Sequence, residues 1–326
     1  MRVTAFLFPL FYSWTFRLLD FLTFIMFDTH CHLNFSRFKK NVDEVIRRAQ
    51  DVGVSSILIP GTDIPTSRKA VEIAARHDGL YAAVGIHPHH VYAPLRPDSN
   101  RDFGGVNSSL NIESRQELTR KIVNADLEAL EVLVQMPKVV AVGEVGMDRH
   151  PYEETKYENY TVDEAFISLQ RDLLISQVKL AIKYNKSLIL HNREAKADVL
   201  SVLRELWSPD LEGRSVFHCC EPDAELLQFA KSYHMFIGVD GDVTYFSEKQ
   251  EFIKEVPLEM LVVETDSPFL LPEPLKSQRL YPNEPKNIPL IVAFIAQLRG
   301  ESVEKVGRVT EENANRLFGL AVEKNW

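Results

Sequence analysis

From residue 24 onward, short apolar runs alternate with longer amphipathic ones. The short runs cover 24–28, 55–60, 80–85, 139–143, 187–190, 215–218, 235–239 and 261–264. Each has the length and the β-branched or apolar character of a strand buried on both faces of a parallel sheet. Between them, apolar positions fall at helical spacing. Val42, Val45, Ile46, Ala49 and Val52 mark one helix, with Gly53 at its C-terminal end. Thr161 and Glu164 have the form of a capping box ahead of Ala165, Phe166, Leu169, Leu173 and Val178. Leu226, Leu227, Ala230 and Tyr233 mark another helix, and Pro289 fits the first turn of a C-terminal one. Eight alternations of strand and helix predict an α/β fold, a (β/α)₈ TIM barrel.

Two stretches interrupt the alternation. Residues 91–111 hold prolines, glycines and paired serines, and a helix over 113–135 is expected after them. Residues 150–160 are polar. Both follow strands, so they read as loop insertions at the carboxyl-terminal face, where barrel active sites sit.

Composition adds limits. The chain has 326 residues, 45% apolar and 25% charged, with a net charge of −9. One barrel accounts for that length, and a core of this size needs no disulfides. The acidic balance argues against holding nucleic acid by broad phosphate neutralisation. It leaves open contact with phosphate through bound metal ions. Cys31, Cys219 and Cys220 form no C-x-x-C pattern, and so sparse and odd a count points to a reducing compartment, the cytoplasm. No run of 18 apolar residues lacks a charge, so no membrane anchor is expected, and no obligate protein partner is evident. Residues 1–25 are an aromatic-rich extension read as outside the fold, with the barrel occupying 26–326. A packing helix or a signal peptide are the other readings of that segment.

The chemistry lies in the residues at the end of each strand. His30-Cys31-His32 comes after the first, Gly85-Ile86-His87-Pro88-His89 after the third and Gly143-Glu144-Val145-Gly146-Met147-Asp148 after the fourth. His191-Asn192-Arg193 comes after the fifth, His218-Cys219-Cys220 after the sixth and Glu264-Thr265-Asp266 after the eighth. One such histidine is more often a satisfied rim residue; donors from six strands at one rim are not explained that way. His30 and His32, two apart on a strand, point the same way. The same alternation turns Cys31 outward toward the helices, and Cys219 outward beside an inward His218, so both read as buried structural thiols. His30, His32, Glu144, His191, His218 and Asp266 make a mixed nitrogen and oxygen set suited to divalent Zn, Mn, Fe or Mg. Six ligands exceed one tetrahedral ion and suit two. His30, His32 and Asp266 would hold one ion, His191 and His218 the other, and Glu144 would bridge them. Arg193 is placed to clamp a phosphate, His87 to contact one, and Asp148 to orient a ligand histidine. Glu264 shares the face of Asp266 by alternation, or is the buried partner of a cation. His89, His90, His150 and His234 read as surface or loop residues.

The segments Phe27-Asp-Thr-His-Cys-His-Leu33, 85–89, 143–148, Val263-Glu-Thr-Asp-Ser-Pro268 and Glu312-Asn-Ala-Asn-Arg-Leu-Phe-Gly319 resemble those of the TatD-type metal-dependent deoxyribonucleases, within the wider amidohydrolase-like barrels. The resemblance runs from about residue 26 to residue 319. It implies a phosphodiesterase with two divalent metal cations (Mg, Mn or Zn), acting on DNA and often as an exonuclease through metal-activated hydroxide. Its ligands fall on the same six residues, with Asp266 and Glu144 as the catalytic carboxylates. Two loops depart from the family pattern: Asn192 stands where serine is usual, and 218–222 reads His-Cys-Cys-Glu-Pro in place of His-Cys-Phe-Ser-Gly. These departures and the acidic charge keep a second reading, hydrolysis of a small amide, lactone or ester on the same barrel. A third, a binding module that has lost turnover, is at odds with the intact ligand set.

Overall fold

The structure, a computed structural model, describes residues 25–95, 112–153 and 161–320. The segment 1–24 lies outside the described residues, as do 96–111 and 154–160, which make up most of the two expected insertions. Eight parallel strands follow chain order around a single sheet: β1 (Met26–Asp28), β2 (Val54–Pro60), β3 (Leu80–Val84), β4 (Val139–Asp148), β5 (Ser187–Arg193), β6 (Ser215–Phe217), β7 (Phe236–Val239) and β8 (Leu261–Val263). Helices alternate with them. They include α1 (Val42–Gln50), α2 (Ile64–Ala74), α3 (Ile112–Leu133), α4 (Glu164–Lys183), α5 (Lys196–Leu206), α6 (Ala224–Ser232), α7 (Ser247–Glu255), α8 (Ile288–Arg299) and α9 (Val303–Phe318). This is the expected TIM barrel. Among the described residues no helix is long and apolar enough to cross a membrane.

The barrel closes where β8 meets β1. Thr29 N–H donates to Val263 O at 3.1 Å, Asp266 N–H to His30 O at 2.9 Å and His32 N–H to Ser267 O at 2.8 Å. Across the same seam the buried Asp28 carboxylate accepts from Thr265 N–H at 3.0 Å and from its hydroxyl at 2.6 Å.

Why the chemistry sits at one end is explained by the interior packing. Each strand sends one apolar side chain, from Phe27 on β1 to Val262 on β8, into a cluster inside the barrel. Leu317 and Phe318 at the end of α9 cap that cluster, with the Phe318 ring 5.5 Å from Phe27. The amino-terminal end is therefore filled with hydrocarbon. Two residues further along, on the same face of each strand, Ile189 is followed by His191, Val216 by His218 and Val262 by Glu264. Polar side chains are thus delivered to the open end.

Two local expectations are corrected. The helix expected to start from Thr161 is capped instead by Asp163, whose carboxylate accepts from Phe166 N–H at 2.8 Å. The 143–148 run is not a loop after β4 but part of the strand. The pairing of β4 with β5 is irregular between Val142 and Val145. Such an irregularity re-aims a side chain, and here it carries Glu144, whose N–H donates to Gly61 O across the barrel at 2.9 Å.

Candidate metal centre

Glu144 lies at the middle of the open end, buried, with its two oxygens facing different histidines. Oε2 is 3.5 Å from His30 Nε2 and 3.6 Å from His32 Nε2. Oε1 is 3.0 Å from His191 Nδ1, 3.6 Å from His87 Nε2 and 3.7 Å from His218 Nε2. Asp266 joins the first set, its Oδ1 3.4 Å from His32 Nε2 and 3.9 Å from His30 Nε2. All six residues expected as ligands therefore meet in one place.

The donor set fits divalent cations. His30 Nε2 and His32 Nε2 point at each other across 3.2 Å. Neighbouring ligands on a tetrahedral ion with bonds of about 2.1 Å stand about 3.4 Å apart. The 3.2–3.9 Å separations among His30, His32, Glu144 and Asp266 match that spacing. Burial and the neighbouring His218 push the His30 imidazole down to about 4, so at neutral pH it is uncharged and a competent ligand.

The second set is oriented from behind. Asp148 Oδ2 lies 3.0 Å from His191 Nε2, which leaves Nδ1 for Glu144. Asp148 thus touches one of the histidines expected as ligands. Glu264 Oε1 accepts from His218 Nδ1 at 2.9 Å and from Cys219 N–H at 2.6 Å, which leaves Nε2 facing Glu144. Burial opposes charge on both rings, but Asp148 and Glu144 raise His191 to about 9, and Glu264 with Glu144 raises His218 to about 10. Burial also opposes charge on Glu144, yet His87, His191 and His30 around it hold its carboxyl well below the usual range. Two glycines make room. A Cβ at position 146 would stand 1.8 Å from His191 O, and one at position 238 would stand 2.6 Å from the Glu264 carboxylate.

The donors open into a cleft of about 1450 Å³. Arg193 and His87 both line it. The Arg193 guanidinium lies 4.9 Å over the Tyr152 ring and donates to its hydroxyl at 2.9 Å. That hydroxyl in turn donates to Asp148 Oδ2 at 2.9 Å. Sequence reasoning missed Tyr152, whose only signal was its place in the polar stretch after β4. It also set His89 and His90 aside as surface residues; both line the cleft, and His89 Nε2 is 3.2 Å from Asp148 Oδ2.

Cys31 is buried in the layer between strands and helices, as expected. Cys219 is not turned outward. Its φ of 44° breaks the strand alternation, and it lines the cleft with its sulfur 4.0 Å from the Lys249 ammonium.

The chain matches the model of a family described as TatD related DNase over residues 27–319. An uncharacterized metal-dependent hydrolase, YabD, from Bacillus subtilis is 32% identical over 298 residues, covering 91% of this chain and 100% of that protein. The 3'-5' ssDNA/RNA exonuclease TatD of Escherichia coli is 31% identical over 302 residues, with the same coverage of 91% and 100%. Among solved structures, the TatD homologue YjjV from Escherichia coli aligns with a TM-score of 0.71 at 26% identity, covering 91% of this chain and 98% of that one.

Proposed function

The chain belongs to the TatD-related DNase family of metal-dependent hydrolases acting on ester bonds, and on that footing we propose that it cleaves phosphodiester bonds of DNA, as an exonuclease. The observation that carries this reading is the division of Glu144, one oxygen toward His30 and His32 and the other toward His191 and His218. That arrangement suits a carboxylate between two cations. The name of the Escherichia coli relative supports a single-stranded substrate, DNA or RNA, and cutting from the 3' end.

His30, His32, Asp266 and Glu144 would hold one cation, and His191, His218 and Glu144 the other. When bound, Mg, Mn or Zn ions would offset charge on the phosphate and make water more acidic. Asp266, with Oδ1 facing His32, has a second carboxylate oxygen to take the proton from the attacking water. Glu264 and Asp148 are positioning residues that fix the rings of His218 and His191. Arg193 presents donors to a non-bridging phosphate oxygen, held in place by Tyr152. His87, neutral because burial and His191 push it well below its usual range, can donate one hydrogen bond to the same phosphate. The three unpaired cysteines support a cytoplasmic location.

The test is hydrolysis of a labelled single strand of DNA, of RNA and of a panel of small esters, before and after exhaustive chelation. Activity on the strands that chelation abolishes and Mg or Mn restores is the expected result. Full activity with no metal detected overturns the reading, and turnover of small esters alone moves it to another substrate.

A further inference from the structure

Phe246 and Phe269 leave 55% and 51% of their surface in water, yet both stand in the wall of the cleft that holds the donors. Large apolar rings left exposed beside a site mark a binding surface. Their backbones are fixed. Phe246 N–H donates to Asp242 O at 3.0 Å and its carbonyl accepts from Gln250 at 3.1 Å, at the start of α7. Phe269 N–H donates to Asp266 O at 2.9 Å, three residues past the proposed proton acceptor.

From Phe269 the rings continue to a donor, and from Phe246 they continue to a cation. Phe269 meets Phe35 edge-on, with centroids 6.3 Å apart, and Phe35 lies flat on His32 at 4.2 Å. Phe246 packs on Tyr245 at 4.9 Å. Lys276 Nζ sits 3.2 Å from the Tyr245 centroid and 5.8 Å from that of Phe246. Unlike Lys249, which is tied to Asp240 and Asp242, Lys276 forms no ion pair among the described residues.

We propose that Phe246, Phe269 and Lys276 form a subsite on which the unpaired bases of a single strand stack while its phosphodiester lies at the donor set. The inference rests on the nucleic-acid reading above and adds what the chain grips. A protein of net charge −9 has little broad phosphate attraction to offer. Every base has a π-face, so stacking holds a strand without regard to sequence, and Lys276 supplies local charge for its backbone. A duplex hides those faces, which selects single strands.

The test compares an oligothymidylate with an abasic strand of equal length, using the full metal-loaded chain. Binding is read by fluorescence anisotropy on phosphorothioate strands, and cleavage on ordinary ones. The wild type should prefer the base-bearing strand by about tenfold or more, the loss expected for one stacked base. Phe246→Ala and Phe269→Ala should each erase most of that preference through Kd and KM, with kcat little changed. Lys276→Met should weaken binding of both strands alike and leave the preference in place. Equal binding of both strands by the wild type, or an unchanged preference in both phenylalanine variants, overturns the subsite. Cleavage without base preference removes the subsite and leaves the hydrolytic reading standing. Base-dependent binding lost in Phe246→Ala, with no strand cut, keeps the subsite and removes the hydrolytic reading.

Discussion

Glu264 holds His218 from behind, its Oε1 taking the ring Nδ1–H at 2.9 Å while also fixing the backbone N–H of the next residue at 2.6 Å. One buried carboxylate oxygen thereby sets both the tautomer of the ring and the turn after β6. Glu264→Gln keeps the shape but exchanges the charge-assisted bond for a weaker one. Metal affinity or activity should fall by about 10- to 100-fold, the range for losing such an orienting partner. Gly238→Ala should act in the same direction without touching a ligand, because its methyl would stand where the Glu264 carboxylate lies. Metal titration of both variants checks this; wild-type affinity in both would show that His218 needs no support.

Proton release should accompany metal uptake. In the metal-free protein His191 and His218 titrate at about 9 and about 10, so both are charged at pH 7 and must lose a proton to bind a cation. Calorimetry in buffers of different ionisation enthalpy should therefore report about two protons released at pH 7, and affinity should rise with pH up to about 10. The metal-free fold responds the other way. A group raised above its unfolded pKa of about 6.5 stabilises fully below that pH, and the gain is lost as pH climbs through the folded value. The thermal midpoint of the metal-free chain should accordingly drop from about pH 6.5 up to about pH 10.

Asp266 has a φ of 48°, a backbone region that Asn and Asp tolerate best among residues with a side chain. Asp266→Asn should for that reason fold, and should keep much of its metal. It cannot accept the proton, so turnover should fall by about 10² to 10⁴, with the substrate constant changing far less. Near-normal turnover removes Asp266 as the base and points to Glu221, which also lines the cleft.

A chain that starts at Met26 should fold and hydrolyse strands as the full chain does. Met26 is already buried in β1, its N–H donating to Gly53 O at 2.8 Å, whereas Ile25 before it is 53% exposed. Loss of solubility or a large fall in thermal midpoint on removing residues 1–25 would show that they pack on the barrel.

The barrel was legible because strand and helix periods differ and each strand keeps its own through the core. The six donors were legible because they stand in or just past the carboxyl ends of those strands, and strand alternation carried His191, His218 and Glu264 to the same side. Alternation failed where the backbone leaves the extended region. Cys219, at φ 44°, turns into the cleft, and no residue type announces that. A histidine partner for Asp148 was anticipated, but Tyr152 and His89, which share the same carboxylate oxygen, lie outside the strands and α-helices, where no periodicity marks them. Glu264 remained ambiguous in the sequence because its partner, His218, is supplied by a strand that is not its neighbour.

The seam between β8 and β1 joins two parts of the chain made at very different times. His30 and His32 leave the ribosome early, and Asp266 arrives about 230 residues later, which at ~5–20 residues per second is on the order of ten seconds or more. Until β8 arrives the sheet is open, Asp28 has no Thr265 to bind, and His30 and His32 lack the Asp266 carboxylate that faces them. A chain terminated before β8 carries both histidines without the carboxylate that faces them. The complete donor set exists only in the finished chain, assembled by the same contact that completes the barrel.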